Sequence, residues 1–209
     1  MKLYLSSINI PAPGDLAKLL GKPLSQTKVT LVANAQDYYS ERAREYQIGL
    51  RVECLKALGF KVTVVDLRGY RDATKLTNEL AGTDLVWAMG GNTFCLRYEM
   101  KLSGFDEVIT QLLEQGVVYG GDSAGALVAG LSIGGIESAD IPEYAPEVIE
   151  DGLKLVPFVV LPHVDNPEFA EVMPIVRGRS AKDSLIELKD SQAVIFDEAG
   201  HHIVEALAP

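Results

Sequence analysis

The chain contains the stretch Tyr119-Gly120-Gly121-Asp122-Ser123-Ala124-Gly125-Ala126, which predicts a strand that enters a sharp turn and leaves directly as a helix. Apolar β-branched residues precede the turn, and helix-compatible residues follow it. The glycines two positions before and after Ser123 leave room for a strained corner in which the serine hydroxyl points out of the fold. This is a nucleophile-elbow pattern, and we expect Ser123 to be a catalytic nucleophile.

The backbone around two turns can supply an oxyanion hole. The helix after Ser123 leaves N–H groups without partners inside the helix, so the N–H of Ala124 can face a developing negative charge. Gly90-Gly91-Asn92-Thr93 follows another predicted strand, and Gly91, which has no Cβ, can bring its own N–H close to the same substrate oxygen. Gly90, Asn92 and Thr93 are then candidates for substrate binding. A plain strand-to-helix turn is the structural alternative, and the absence of a dinucleotide fingerprint or a Walker lysine disfavours a phosphate site.

A histidine that could serve as general base follows a later predicted strand. His163 comes directly after the strand predicted over residues 154–161, at the edge of the sheet where Ser123 is expected. His201 and His202 compete for the role, but they lie in an alternating late segment, so one of them should face solvent. The three histidines form no helical ligand pair of the His-Glu-x-x-His type, so we expect neither a metal nor another cofactor.

The composition is that of an ordinary water-soluble protein. The 209 residues include 47% hydrophobic and 23% charged residues, which suits a single α/β domain over residues 1–209. The net charge of −10, from 19 basic and 29 acidic residues, disfavours binding to nucleic acid or anionic membranes. No apolar run is long enough to cross a bilayer, and the first residues predict a strand rather than a signal peptide.

The cysteines bear on the cellular compartment. Cys54 and Cys95 lie far apart in helix-like segments, which predicts buried thiols in a reducing cytoplasm rather than a disulfide framework. The sequence leaves the oligomeric state open, with a homodimer as one option.

Strands alternate with helices along most of the chain, which predicts a three-layer α/β fold with a mostly parallel sheet and helices on both faces. Residues 184–188, 192–196 and 202–206 form short strands whose connections are tight enough for hairpins, so the sheet should end in antiparallel edge strands. The helix over 40–58 is the clearest, with Ala43, Tyr46, Leu50, Cys54 and Ala57 predicted to form its apolar face. The remaining strands are predicted at 2–7, 28–35, 61–67, 84–89, around Val117 and at 154–161, and the remaining helices at 15–20, 72–80, 93–103, 105–114 and 167–176.

Four motifs in order give the chain a family resemblance. They are Gly90-Gly91-Asn92-Thr93-Phe94, Ser123-Ala124-Gly125-Ala126 followed by Val128-Ala129-Gly130, Ala139-Asp140-Ile141-Pro142, and Pro162-His163. With these motifs nearly the whole chain resembles the peptidase E (aspartyl dipeptidase) family of serine peptidases, to which cyanophycinase is related. That family's fold is similar to the class I glutamine amidotransferases, with serine in place of their elbow cysteine.

The resemblance implies roles for particular residues. Ser123 would be the nucleophile, His163 the general base and Asp140 the acid that orients the base, with the Gly91 and Ala124 N–H groups as the oxyanion hole. The residues alone do not distinguish Asp140 from its acidic neighbours. Asp190 matches a position where the family often has an acid near the histidine and is the second candidate, although aspartate is also common in hairpin turns.

Two departures from the family concern specificity. Family members that cleave after an N-terminal aspartate are expected to carry an arginine after the histidine, whereas here residues 166–174 contain none, and Arg177 and Arg179 come later. Asp122 is also unusual directly before the serine. It can bind a substrate ammonium group, or it can be an exposed acid without a role.

The sequence therefore predicts a cytoplasmic serine peptidase that cleaves short peptides through an acyl-enzyme. A carboxylesterase is one alternative, although the histidine of a His-Gly-Gly-Gly oxyanion loop is missing before Gly90. A non-catalytic ligand-binding protein with an amidotransferase-like fold is the other.

Overall fold

The computed structural model describes residues 1–180 and 185–206, and a mostly parallel sheet organises them. The strands are β1 Leu3–Ser6, β2 Lys28–Val32, β3 Lys61–Val65, β4 Leu85–Ala88, β5 Val118–Asp122, β6 Val159–Leu161, β7 Leu185–Glu187, β8 Gln192–Asp197 and β9 Gly200–Glu205. The α-helices are α1 Pro13–Leu20, α2 Glu41–Ala57, α3 Ala73–Glu79, α4 Thr93–Ser103, α5 Phe105–Glu114, α6 Ala124–Leu127 and α7 Met173–Ser180.

Seven strands form the main sheet in the order β3-β2-β4-β5-β1-β8-β9. The pairs from β3 to β1 are parallel, whereas β8 runs antiparallel to β1 and β9 antiparallel to β8. Alternate residues of β1 enter different hydrophobic clusters, with Leu3 and Leu5 in one and Tyr4 in the other, as expected of a sheet buried on both faces. The predicted three-layer fold and its antiparallel C-terminal strands are confirmed.

The C-terminal strand β7 differs from its prediction. It does not form a hairpin with β8 but pairs in parallel with β6 in a separate two-stranded sheet. Both edges of β8 are already occupied, by β1 and by β9, so no edge remains for β7. Ser184, which was included in that predicted strand, lies outside the described residues.

Two other predicted elements are shorter or displaced. The strand predicted over 154–161 is reduced to β6, because residues 153–155 donate their N–H groups to the carbonyls of residues 128–130 instead of to a neighbouring strand. The helix predicted over 167–176 is a 3₁₀ turn, Pro167–Phe169, followed by α7. Pro174 lies in the first turn of α7, where its missing N–H disrupts no helical hydrogen bond.

The prediction of which α2 residues face the core is wrong. Tyr46 and Leu50 are 64% and 47% exposed, whereas Arg44 and Leu55 are buried. Arg44 is held inside by ion pairs from its Nε to Asp37 Oδ1 at 2.6 Å and from its Nη2 to Asp66 Oδ2 at 3.0 Å. A count of apolar spacings cannot anticipate a charged residue on the inner face, because the compensating carboxylates come from other segments.

The two thiols also differ. Cys54 is exposed on α2, so the expectation that both cysteines are buried holds only for Cys95. Burial, together with the nearby carboxylates Asp37, Asp140 and Glu99, raises the pKa of Cys95 to about 12, so its thiol is protonated at neutral pH.

Among the described residues, no helix combines the length and apolar character needed to cross a membrane.

Close backbone contacts seat the β5–α6 turn against the sheet. A Cβ added at Gly125 would lie 1.9 Å from the carbonyl oxygen of Ala88 in β4, and one at Gly121 would lie 2.5 Å from the carbonyl carbon of Gly125. Both distances are shorter than real Cβ contacts, and the opposing atoms are backbone atoms that cannot rotate away. Glycine at both positions is therefore a packing requirement of this turn.

We expect Gly125→Ala to lower the free energy of unfolding by more than about 2 kcal/mol, because the new methyl group displaces backbone atoms of β4. Urea denaturation followed by circular dichroism measures this change. The control is Gly49→Ala in α2, where no atom lies within 4 Å of the new Cβ. That variant should gain about 0.5–1 kcal/mol, since alanine is the better helix former. Equal denaturation midpoints for the two variants would contradict the packing argument.

Candidate active site

Ser123 lies at the junction of β5 and α6 in a strained backbone conformation. Its φ of +50° and ψ of −113° lie outside the regions that residues other than glycine favour. Its N–H donates to the carbonyl oxygens of Ser6 and Ser7, both at 3.1 Å, which ties the turn to the end of β1. The side chain is half-buried and lines a cavity beyond the carboxyl ends of the parallel strands.

The His163 imidazole faces this serine, with Nε2 at 2.9 Å from Ser123 Oγ. The residue follows β6 with a φ of +64°, and its ring stacks on Phe169 with centroids 4.7 Å apart. His201 and His202 are exposed on β9, and neither lines the cavity. Of the candidate bases, the structure brings only His163 to the serine hydroxyl.

Asp190 occupies the other side of the imidazole, with Oδ1 at 2.7 Å from Nδ1 of His163. Ser7 Oγ donates to the same Oδ1 at 2.8 Å, and Asn166 Nδ2 donates to Oδ2 at 2.8 Å. Partial burial alone would raise the pKa of Asp190, but the hydrogen bonds from His163, Ser7 and Asn166 hold it below its ordinary value. Asp190 is therefore ionised near neutral pH, and it can fix the ring orientation and stabilise an imidazolium.

Ser7 is a residue that the sequence reasoning missed. Besides donating to Asp190, its Oγ accepts the backbone N–H of His163 at 2.8 Å and lies 3.2 Å from Nδ1 of the same histidine. One hydroxyl thus fixes both the backbone of the histidine and the carboxylate beside it. No motif signals this role, because a serine at the end of a first strand is unremarkable in sequence.

Asp140 contacts a different partner from the one that the resemblance implied. Its Oδ2 accepts the backbone N–H of Thr93 at 2.8 Å, at the start of α4, and it forms no hydrogen bond with His163. Asp140 nevertheless lines the cavity that contains Ser123 and His163. The structure therefore places Asp190, and not Asp140, against Nδ1 of the histidine.

The two proposed oxyanion donors, Gly91 and Ala124, both line the cavity. Within residues 1–180 and 185–206, neither N–H donates to a protein acceptor. Gly91 has a φ of +141°, and a Cβ there would lie 2.4 Å from the carbonyl oxygen of Ala35, so only glycine fits. Both amides are available to a substrate oxygen.

The remaining residues of the Gly90 turn have structural contacts. The Gly90 carbonyl accepts a hydrogen bond from Gln36 Nε2, and Gly90 does not line the cavity. Asn92 caps α4 by accepting the N–H of Cys95 at 2.9 Å and donates to the carbonyl of Ile141 at 2.9 Å. Asn92 and Thr93 do line the cavity, and their hydrogen bonds connect α4 to the loop around Asp140.

Asp122 is buried rather than exposed, so the expectation of a surface acid is wrong. Its Oδ1 accepts from Trp87 Nε1 at 2.8 Å and its Oδ2 accepts from Arg51 Nη2 at 2.8 Å. Burial raises the pKa of Asp122, while Arg51, Trp87 and the Gly90 N–H oppose that effect. The carboxylate does not line the cavity, and its contacts join β5 to β4 and α2 behind Ser123.

The cavity measures about 380 Å³, and its lining is mostly apolar. Asp140 and His163 are the only acidic, histidine or basic side chains among the described residues that line it. Arg177 pairs with Glu187 and Arg179 with Glu137, and neither arginine is part of the lining. The apolar and aromatic lining residues are Tyr38, Ala124, Leu127, Ile136, Ala139, Ile141, Tyr144, Leu161, Pro162, Phe169, Met173 and Val176. Within the described part of the chain, no cluster of three or more metal-ligating side chains occurs.

Comparisons with known proteins show similarity to peptidases. The model of peptidase family S51 matches residues 9–204. An uncharacterised peptidase of Listeria monocytogenes is 31% identical over 146 residues, covering 69% of this chain and 71% of that protein. Peptidase E of Shewanella putrefaciens is 33% identical over 109 residues, covering 52% of this chain and 45% of that protein.

Solved structures share the fold over nearly the whole chain. The crystal structure of a Listeria monocytogenes protein superposes with a TM-score of 0.84 at 24% identity and covers 99% of this chain and 98% of that one. A peptidase from an acI-B1 Actinobacterium gives a TM-score of 0.73 at 16% identity, covering 98% of this chain and 87% of that one.

The fold and these similarities define a peptidase of the serine hydrolase class. More particularly, the chain belongs to peptidase family S51, the peptidase E family.

We expect Asp190→Asn to lower kcat by about 10²–10⁴-fold, because the neutral amide no longer stabilises an imidazolium and can favour the wrong tautomer. The measurement is steady-state hydrolysis of a dipeptide library. Glu198→Gln, in the exposed turn at the opposite end of β8, removes an acid away from the site and should keep wild-type kcat. A kcat for Asp190→Asn within twofold of the wild type would remove Asp190 from the mechanism.

We expect Arg51→Met to lower the free energy of unfolding by about 3–5 kcal/mol at pH 7, because it leaves Asp122 buried without its cation. Without Arg51 the folded-state pKa of Asp122 rises further above its unfolded value, so the loss should be complete at high pH and shrink as the pH falls. Urea denaturation at pH 8 and pH 5 tests both parts. Arg177→Met breaks an exposed pair with Glu187 and should cost about 1 kcal/mol or less at either pH. The same cost for the two arginines would contradict this interpretation.

Proposed function

We propose that this chain hydrolyses short peptides through an acyl-enzyme formed on Ser123, with His163 as general base and Asp190 as the acid that orients it. One observation carries the proposal. Ser123 Oγ, the His163 ring and Asp190 form a continuous hydrogen-bonded relay, with contacts of 2.9 Å and 2.7 Å. The relay lies beside a cavity lined by two residues whose backbone N–H groups have no acceptor in the described part of the chain.

The first half of the reaction forms the acyl-enzyme. Ser123 Oγ attacks the scissile carbonyl carbon while its proton passes to Nε2 of His163, and the carbonyl oxygen becomes an oxyanion that the Gly91 and Ala124 N–H groups stabilise. Asp190 stabilises the imidazolium through Nδ1–H. The imidazolium then gives its proton to the leaving amine as the C–N bond breaks, which leaves an ester on Ser123.

The second half restores the enzyme. His163 takes a proton from water, the resulting hydroxide attacks the ester carbonyl, and the same donors stabilise the second oxyanion. When the C–O bond to Ser123 breaks, the imidazolium returns its proton to Oγ, and the carboxylic acid product leaves. The peptide and one water molecule are the only reactants that this sequence of steps consumes, and atoms and charge then balance.

The size of the cavity favours short peptides over proteins. Its 380 Å³ falls in the lower part of the range of roughly 300–1,000 Å³ that is usual for small-molecule sites. A net charge of −10 supports the proposal that nucleic acids are not substrates. The two free cysteines support a reducing compartment, and we place the reaction in the cytoplasm on that basis.

We expect Ser123→Ala to lower turnover by about 10⁴–10⁶-fold while leaving the fold intact. Dipeptide hydrolysis measures the loss, and a fluorophosphonate probe should label the wild type but not the variant. Ser25→Ala changes an exposed serine far from the cavity and should retain both activity and labelling. If Ser123→Ala kept peptidase activity, or if the probe labelled it like the wild type, the proposed mechanism would be wrong.

A further inference from the structure

Asp140 is left without a place in the catalytic relay once Asp190 lies beside His163. Its Oδ2 accepts the Thr93 N–H at 2.8 Å. In the described part of the chain, no lysine, arginine or histidine forms an ion pair with it. Yet Asp140 lines the same cavity as Ser123 and His163.

The Asp140 carboxylate has no lysine or arginine beside it among the described lining residues of the cavity. The walls around it are mostly apolar, and burial raises the pKa of Asp140, an effect that the hydrogen bond from Thr93 and the more distant His163 only oppose. Ionised groups in such surroundings are costly unless a cation compensates them. The chain supplies none among the described lining residues, so the substrate is the available source.

A short peptide carries a cation at its amino terminus. If that α-ammonium lies against Asp140, the first carbonyl of the peptide is only two bonds away from the charged nitrogen and stays within the cavity that contains Ser123. The apolar side chains of Ile136, Phe169 and Met173 then surround the first side chain of the peptide rather than a charged group. A carboxylate side chain would find no described lysine or arginine in the lining.

We propose that Asp140 is the binding residue for the free α-ammonium of a peptide whose first side chain is apolar, which makes the chain an aminopeptidase-type enzyme. The proposal rests on the proposed function, since it places the amino terminus next to the nucleophile. A preference for aspartate as the first residue of the peptide would instead need a cation in the cavity.

The test compares three p-nitroanilide substrates: leucine p-nitroanilide, its N-acetylated form, and aspartate p-nitroanilide. Acetylation removes the ammonium charge, and the aspartate form changes only the side chain. A charge-assisted hydrogen bond in a partly buried site predicts a preference of about 10–100-fold in kcat/KM for the free amine over the acetylated form. Leucine should exceed aspartate by about tenfold or more.

Substitutions at Asp140 separate binding from structure. Asp140→Asn should lose about 10–100-fold in kcat/KM on leucine p-nitroanilide but stay within about threefold of the wild type on the acetylated substrate. Asp140→Glu keeps the charge and should keep part of the preference for the free amine. Glu143→Gln, an exposed acid in the same loop, is the matched control and should behave as the wild type.

The outcomes are distinct. Equal loss by Asp140→Asn on free and acetylated substrates, or loss of fluorophosphonate labelling in both Asp140 variants, would assign Asp140 a structural role and overturn the proposal. Ser123-dependent cleavage of both substrates at equal rates by the wild type would also overturn it while leaving the proposed function in place. If the wild type cleaves no peptide or anilide, the proposed function fails and this inference fails with it.

Discussion

The site depends on how closely the turn after β5 approaches β4. Gly125 lies so near the Ala88 carbonyl, and Gly121 so near Gly125, that no side chain fits at either glycine. This contact holds Ser123 at a φ of +50°, a conformation that the residue would not adopt alone. The strained turn points the hydroxyl toward the cavity and leaves the Ala124 N–H at the start of α6 without a helical acceptor. The chemistry proposed for the chain thus begins with a constraint of backbone packing.

A second constraint brings the remaining groups to that serine. Ser7, just after β1, bonds to both His163, which follows β6, and Asp190, which follows β7. Its hydroxyl therefore ties the loop after β6 and the turn before β8 to the main sheet. Asp122 acts on the other side of the turn, where its bonds to Trp87 and Arg51 fix the residue before the nucleophile. Of the residues in these two sets of contacts, His163 lines the cavity.

The parallel sheet, the turn at Ser123 and the position of His163 after a strand could all be predicted from the sequence. Each depends on a local pattern, namely the alternation of strands and helices or the glycines around the turn. Contacts between segments that are distant in sequence could not be predicted. The choice between Asp140 and Asp190 depends on how β7 pairs, and the hairpin expected there does not form because β1 and β9 already flank β8. The burial of Asp122 cannot be read from the sequence around it, because its partners Arg51 and Trp87 lie 71 and 35 residues away. Likewise, the inner face of α2 is set by carboxylates outside the helix that pair with Arg44.

The relay draws on residues near both ends of the chain, from Ser7 after the first strand to Asp190 before the eighth. A polypeptide emerging from the ribosome therefore carries Ser123 before it carries the acid that orients the histidine. Under the proposed mechanism, hydrolytic activity requires the tertiary contacts that bring these distant segments together.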